Sequence, residues 1–151
     1  MLDEDERSPS PSTLRRLRPV EIRNPEDFGP ALARSRAGGE VEARAAYAPD
    51  GSVLSVYFFA RGEELPLLRQ EDSVGDGRPD RWIGYEAGLR REVWEDGAGR
   101  GRPDIRVEFL PGSREIVQIE YDDDADGRVD RRSFFRRGRL LRREILAGDG
   151  P

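Results

Sequence analysis

The stretch DDDADGRVDRRSFFRRGRLLRREIL, residues 122–146, decides the fold. It opens on Asp122, Asp124, Asp126 and Asp130 around Gly127, passes through Phe134 and Phe135, turns at Gly138 and ends in a second apolar run. The same order occurs twice upstream. Residues 72–80 read DSVGDGRPD, and residues 96–104 read DGAGRGRPD. After each closing aspartate (Asp80, Asp104, Asp130) an aromatic and then a glycine follow at matched distances: Tyr85 and Gly88, Phe109 and Gly112, Phe135 and Gly138. Strand-like runs follow at 89–94, 115–121 and 140–146. Each unit reads loop, strand, tight turn, strand, which is an internal repeat. The second glycine of each unit is placed for the positive φ of a hairpin turn.

Working upstream, Val41, Ala43, Ala45 and Tyr47 alternate with more polar positions, and Pro49-Asp50-Gly51-Ser52 is a turn signal. Residues 53–59 are rich in β-branched and aromatic side chains, so this segment reads as a further hairpin. The expected architecture is all-β: an antiparallel β-hairpin repeat array, or meander, over 39–151, with Asp/Gly-rich loops. Residues 1–18, which begin MLDEDERSPSPS, have little to bury and read as a disordered acidic tether. Residues 19–38 read as an irregular lead-in with a short helical turn from Pro25 to Ala33. The final Gly148-Asp149-Gly150 resembles the opening of a fourth loop.

Composition narrows the chemistry. The chain has 151 residues, 38% of them charged, and a net charge of −5. It has no His and no Cys, and all 26 basic residues are Arg. That removes disulfides, Cys/His zinc sites, Cys nucleophiles, His general bases, Schiff-base lysines and the P-loop lysine. The acidic balance argues against general nucleic-acid binding, and no apolar run is long enough to span a membrane. With 35% hydrophobic residues the core is thin, so something besides apolar burial must hold the fold.

Asp122, Asp124, Asp126, Gly127 and Asp130 stand in a D-x-D-x-D-G-x-x-D pattern. Carboxylates on alternate residues of a curved loop converge, and calcium accepts six to eight oxygens in irregular geometry. The pattern resembles the calcium loop of EF-hand proteins over about nine residues, with Ser133 where the bidentate Glu would stand. It is also similar to the loops of thrombospondin type 3, dockerin and integrin-type repeats, and the hairpins resemble MORN and YD repeats. The resemblance implies a calcium-braced repeat protein of bacterial surface type. It places Asp122, Asp124, Asp126, the Arg128 carbonyl and Asp130 around one ion, with weak affinity, about 10⁻⁴–10⁻³ M, because the twelfth ligand is missing. The first loop keeps Asp72, Asp76 and Asp80 but has Val74 at its third position, a weaker site. The second has Ala98 and Arg100, so Arg100 is expected to pair Asp96 and Asp104 where the third loop holds calcium. The plainer alternative is that all three are turns in which Asp side chains bond their own backbone.

Three other groups have a functional and a plainer reading. Arg131, Arg132, Arg136, Arg137, Arg139, Arg142 and Arg143 would bind a protein or polyanion, or would cover aromatics and pair with the acidic loop. Trp82, Tyr85, Trp94, Phe109, Tyr121 and Phe135 would line a sugar-binding face, or form the core of the meander. Glu92, Glu120 and Glu144 would supply a carboxylate pair for glycoside hydrolysis, or a solvated strand face. The plainer reading is favoured for each. The expected function is a non-catalytic calcium-binding module with a structural or interaction role, outside the cytoplasm, where calcium is millimolar. The alternative is a metal-free scaffold that binds a protein or polyanion through the Arg-rich hairpin.

Overall fold

The computed structural model describes residues 15–20, 41–101, 103–110, 112–124 and 126–146. Residues 1–14 of the tether expected over 1–18, the helical turn at 25–33 and the fourth loop at 148–151 lie outside the described residues.

The described chain forms one ten-stranded sheet: β1 (Arg18–Val20), β2 (Val41–Tyr47), β3 (Val53–Ala60), β4 (Leu68–Glu71), β5 (Arg81–Glu86), β6 (Leu89–Glu95), β7 (Ile105–Phe109), β8 (Ile116–Tyr121), β9 (Arg131–Arg136) and β10 (Arg139–Ile145). Order in the sheet equals order in the chain, and every pairing is antiparallel. This is the open all-β meander that the repeat implies. Two strands escape the hydrophobic periodicity. β1 has Pro19 at its centre, and β4 reads LRQE with a single apolar residue. Both are recruited by pairing with a neighbour.

The turns explain the strand order. Ala87-Gly88 joins β5 to β6, Arg137-Gly138 joins β9 to β10, and all four residues have positive φ (52° and 81°, 51° and 78°). That is the two-residue turn whose twist matches the flanking strands. Glycine at the second place adopts it without strain, while Ala87 and Arg137 carry the cost of a Cβ.

Strict register lines residues up across the sheet. One row on the first face runs Ala45, Val56, Gln70, Trp82, Trp94, Arg106, Glu120, Arg132, Glu144. A row on the second face runs Arg44, Tyr57, Arg69, Ile83, Val93, Val107, Ile119, Ser133, Arg143. The first row is uncharged through β6, with Gln70 accepting the Trp82 indole N–H (3.1 Å), and ionic from β7 onward. The core follows it. Ala43, Phe58, Leu68 and Trp82 pack together on the first face. Tyr57 and Phe59 pack with Leu17 in one cluster, and Ile83, Tyr85 and Val93 with Phe109 in another. Trp82, Phe58, Phe59, Leu68 and Ile83 are fully buried, each stabilising the fold by about 1.5–3 kcal/mol.

Where apolar burial ends, Arg106 takes over. Its buried guanidinium donates to Glu92 (2.8 Å), Glu120 (2.7 Å) and Glu108 (2.8 Å), and Glu120 also accepts from Arg132 (3.0 Å). Desolvation disfavours the Arg106 charge, but the glutamates outweigh it and raise its pKa further. Glu92 reaches Arg106 by lying across Gly84: a Cβ there would sit 2.8 Å from the Glu92 Cγ. Gly84→Ala is therefore expected to displace Glu92 and destabilise the sheet by about 1–3 kcal/mol, read as a lowered urea midpoint. Arg106→Ala, which strands Glu92 and Glu108 and leaves Glu120 to Arg132 alone, should cost about 3–5 kcal/mol in the same measurement.

Candidate metal centre

Each nine-residue Asp/Gly loop joins two neighbouring strands, and each closes the same way. The opening aspartate turns its carboxylate inward onto backbone donors near the loop's middle. Asp72 accepts from the N–H groups of Gly75 (2.8 Å), Asp76 (3.2 Å) and Gly77 (2.7 Å). Asp96 accepts from Arg100 (2.9 Å) and Gly101 (2.7 Å), and Asp122 from Asp126 (3.1 Å) and Gly127 (2.8 Å). The closing aspartate reaches back to the loop's start. Asp80 accepts from the Ser73 N–H (3.1 Å) and hydroxyl (2.8 Å), and Asp104 from the N–H groups of Gly97 (2.9 Å) and Ala98 (2.8 Å). Asp130 accepts from Asp123 (2.7 Å) and Asp124 (3.3 Å). The loop is clasped from both ends by carboxylates. Gly77, Gly101 and Gly127, with φ of 85°, 88° and 91°, supply the bend that aims the donors.

This clasp is the Asx-type closure that competed with the metal reading. It forms in full in the second loop, which lacks carboxylates at its third and fifth positions. The expected role of Arg100 is corrected here. Arg100 meets Asp96 through its backbone N–H, and Asp104 is satisfied by Gly97 and Ala98.

The third loop adds something to the clasp. Asp122, Asp124 and Asp130 each bring one carboxylate oxygen within 4.8 Å of the others. Among the described residues this is the one such group, since Val74 and Ala98 occupy the corresponding third positions of the other loops. Asp126 stands apart from the trio. Its Oδ1 accepts the Arg128 N–H (2.8 Å), as Asp76 accepts that of Arg78 (2.9 Å). Of the five residues expected around an ion, the structure thus gathers Asp122, Asp124 and Asp130. In the first loop Asp72 and Asp80 serve the clasp, and Asp76 serves its own turn. Three carboxylates so close repel one another, and a hard cation relieves that repulsion.

The neighbouring charges are accounted for. Asp123 is held by Arg131 (2.9 Å), whose guanidinium lies 3.8 Å from the Tyr121 ring centroid. Arg142 lies 4.4 Å from the Phe134 ring. In the Arg-rich hairpin, Arg131 and Arg142 thus cover aromatics, and Arg131 also pairs with the acidic loop. Trp82 and Tyr85 are buried, and Phe109 lies under Arg90 at 3.8 Å, so these aromatics are core rather than an open face. Glu92 and Glu120 share the Arg106 guanidinium. Arg106 and the backbone donors at Ser73, Gly97, Ala98 and Asp123 had no motif to announce them. The signal for the clasp was present all the same: opening Asp, sixth-position Gly and closing Asp are the only loop positions, apart from the seventh-position Arg, identical in all three units.

No protein-family profile, curated protein or solved structure matches the chain.

At Asp72 the clasp makes acid stability depend on carboxylate charge. Desolvation works to raise the Asp72 carboxyl, but the N–H groups of Gly77, Gly75 and Asp76 outweigh it and hold it below its ordinary 3.8. A depressed folded value means that the contribution is present above pH 3.8 and lost as pH falls through the folded value. Asp72→Asn is expected to lower the urea midpoint at pH 7, with the difference from wild type closing well below pH 3.8.

Proposed function

We propose that this protein is a non-catalytic β-repeat scaffold whose third loop binds calcium through Asp122, Asp124 and Asp130. The observation that carries the reading is the convergence of those three carboxylates in the one loop that has them to spare. The clasp sets how the ion would act. All three loops close on backbone donors, so calcium would tighten a loop already formed rather than fold it. Asp122 accepts one N–H on each oxygen and keeps a lone pair on both, while Asp130 accepts its two clasp bonds on Oδ2 and none on Oδ1, so both residues can serve clasp and cation together. The Arg128 carbonyl and water are the natural sources of further oxygens. Affinity of about 10⁻⁴–10⁻³ M suits an extracytoplasmic setting, where calcium is plentiful.

The test is thermal unfolding of the full chain in EGTA and in 10 mM calcium. An affinity in that range stabilises the folded state by about 1.5–3 kcal/mol, which raises Tm by several degrees. Asp124→Asn should abolish the shift. Asp126→Asn and Asp96→Asn should retain it, any loss of Tm being equal in EGTA and in calcium. Equal melting of the wild type in calcium and in EGTA would overturn the proposal.

A further inference from the structure

We infer that the outer edge of β10 pairs with β10 of a second copy of this chain, giving an antiparallel two-fold dimer. The two ends of the sheet are not alike. β1 has three residues with a proline at its centre, a poor template for pairing. β10 has seven residues, and among the described residues no strand pairs with its outer side. It also exposes Leu140 (47%), Leu141 (63%) and Ile145 (71%).

The register selects the occupant. The Leu146 N–H donates to the Asp130 carbonyl (2.8 Å), so Glu144 and Arg142 direct their backbone groups toward β9. Arg143 and Ile145 therefore present theirs outward. In the corresponding places of the array, the Glu95 and Tyr121 carbonyls accept the N–H groups of Asp104 and Asp130 (both 2.8 Å). Let the second β10 run antiparallel with its Arg143 opposite Arg143. The outward-facing backbone groups then meet in hydrogen-bonded pairs. Arg142 falls opposite Glu144 of the second copy, and Glu144 opposite its Arg142. Leu141 falls opposite Ile145 of the second copy, and the converse.

That register continues a pattern already in the sheet. The first-face row alternates in charge from β7 onward as Arg106, Glu120, Arg132, Glu144. Arg142 of the second copy is the cation that row calls for next. The pairing also sets the basic turn of each copy, with Arg136, Arg137 and Arg139, beside the aspartate-loop end of the other β10. The one unfavourable meeting is Arg143 with Arg143, two exposed side chains. Opposite-charge and apolar cross-strand pairs are both favourable, and the two ion pairs and two apolar pairs outnumber that one meeting.

The test is light scattering with gel filtration on the full chain in EGTA, so that no cation contributes. Wild type is expected at twice the 17.1 kDa protomer mass. Arg142→Glu and Glu144→Arg each set like charges opposite one another, and each should weaken the dimer about tenfold or more. The double swap Arg142→Glu/Glu144→Arg restores opposite charges at the seam and should recover the dimer relative to Glu144→Arg alone, which carries the same like-charge meeting with Arg132 on β9. Arg143→Pro removes an outward donor without removing a β9 bond, so it should give a monomer whose circular dichroism still reports the sheet. A wild-type monomer at the highest soluble concentration overturns the inference. So does a dimer that survives both single charge reversals, or a double swap that fails to recover it.

Discussion

Carboxylates that fold back onto the backbone of their own loop hold the register of this sheet. Each of the three loops spans nine residues without a helix or strand of its own, and its inward N–H groups would otherwise need water. The opening and closing aspartates take those donors in every loop. The closing residue also knits the sheet through its main chain. The Asp104 N–H donates to the Glu95 carbonyl (2.8 Å) while its own carbonyl accepts from Asp122 (2.8 Å). Asp80 and Asp130 do the same between their neighbours. One residue type therefore closes the loop with its side chain and sets the next strand's register with its backbone. A one-residue slip would turn Trp82 and Ile83 to the wrong faces, so the core depends on this closure.

A second interaction substitutes for the missing apolar mass. Guanidinium groups lie over aromatic rings along the sheet: Arg44 over Phe59 at 4.5 Å, Arg69 over Tyr57 at 5.5 Å, Arg90 over Phe109 at 3.8 Å and Arg131 over Tyr121 at 3.8 Å. Such contacts occur about once per 70–80 residues in ordinary structures, so their density here marks a building principle. Planar guanidinium can cover a ring and engage a carboxylate at the same time, which ammonium cannot. Arg69 shows it, stacking on Tyr57 while pairing with Glu71 at 2.7 Å. Burial pushes the nearby Tyr85 hydroxyl up to about 12 despite the pull of Arg69, so the phenol stays neutral in this setting. A chain whose basic residues are all Arg is what such a sheet requires.

The sequence is legible where a residue's role is local. The spacing of the aspartates, aromatics and glycines gives the repeat, the hairpins and the all-β class, because each depends on turn chemistry within a few residues. β4 is not legible, because Leu68-Arg69-Gln70-Glu71 becomes a strand only by lying between β3 and β5. The Arg106 hub is hidden for the same reason: Glu92, Glu108 and Glu120 come from three strands that only the register brings together. At the third loop the spacing of Asp122, Asp124 and Asp130 is informative, since alternate residues of a tight curve do converge. Asp126 shares that spacing, but its carboxylate accepts the Arg128 N–H and is not among the three that converge. Asp96 and Asp104 look as though they need a counter-ion until backbone donors are counted.

Stability in a meander is close to a sum of neighbour terms, so its distribution along the array matters. Buried apolar side chains end at Val93, with the half-buried Phe109 packed against its cluster. Beyond β7, every residue of β8 is only partly buried, β9 buries Ser133 alone, and β10 buries none. The last hairpins therefore rest on ion pairs, ring stacks and the third clasp. That is also where the charge alternation across the first face is strongest, and where the three converging carboxylates lie. A cation at the third loop would add its binding energy to the weakest part of the array, whereas the same ion at the first loop would brace strands already held by Phe58, Leu68 and Trp82. The asymmetry between the loops follows the asymmetry of the core: the extra carboxylate stands where apolar burial has run out.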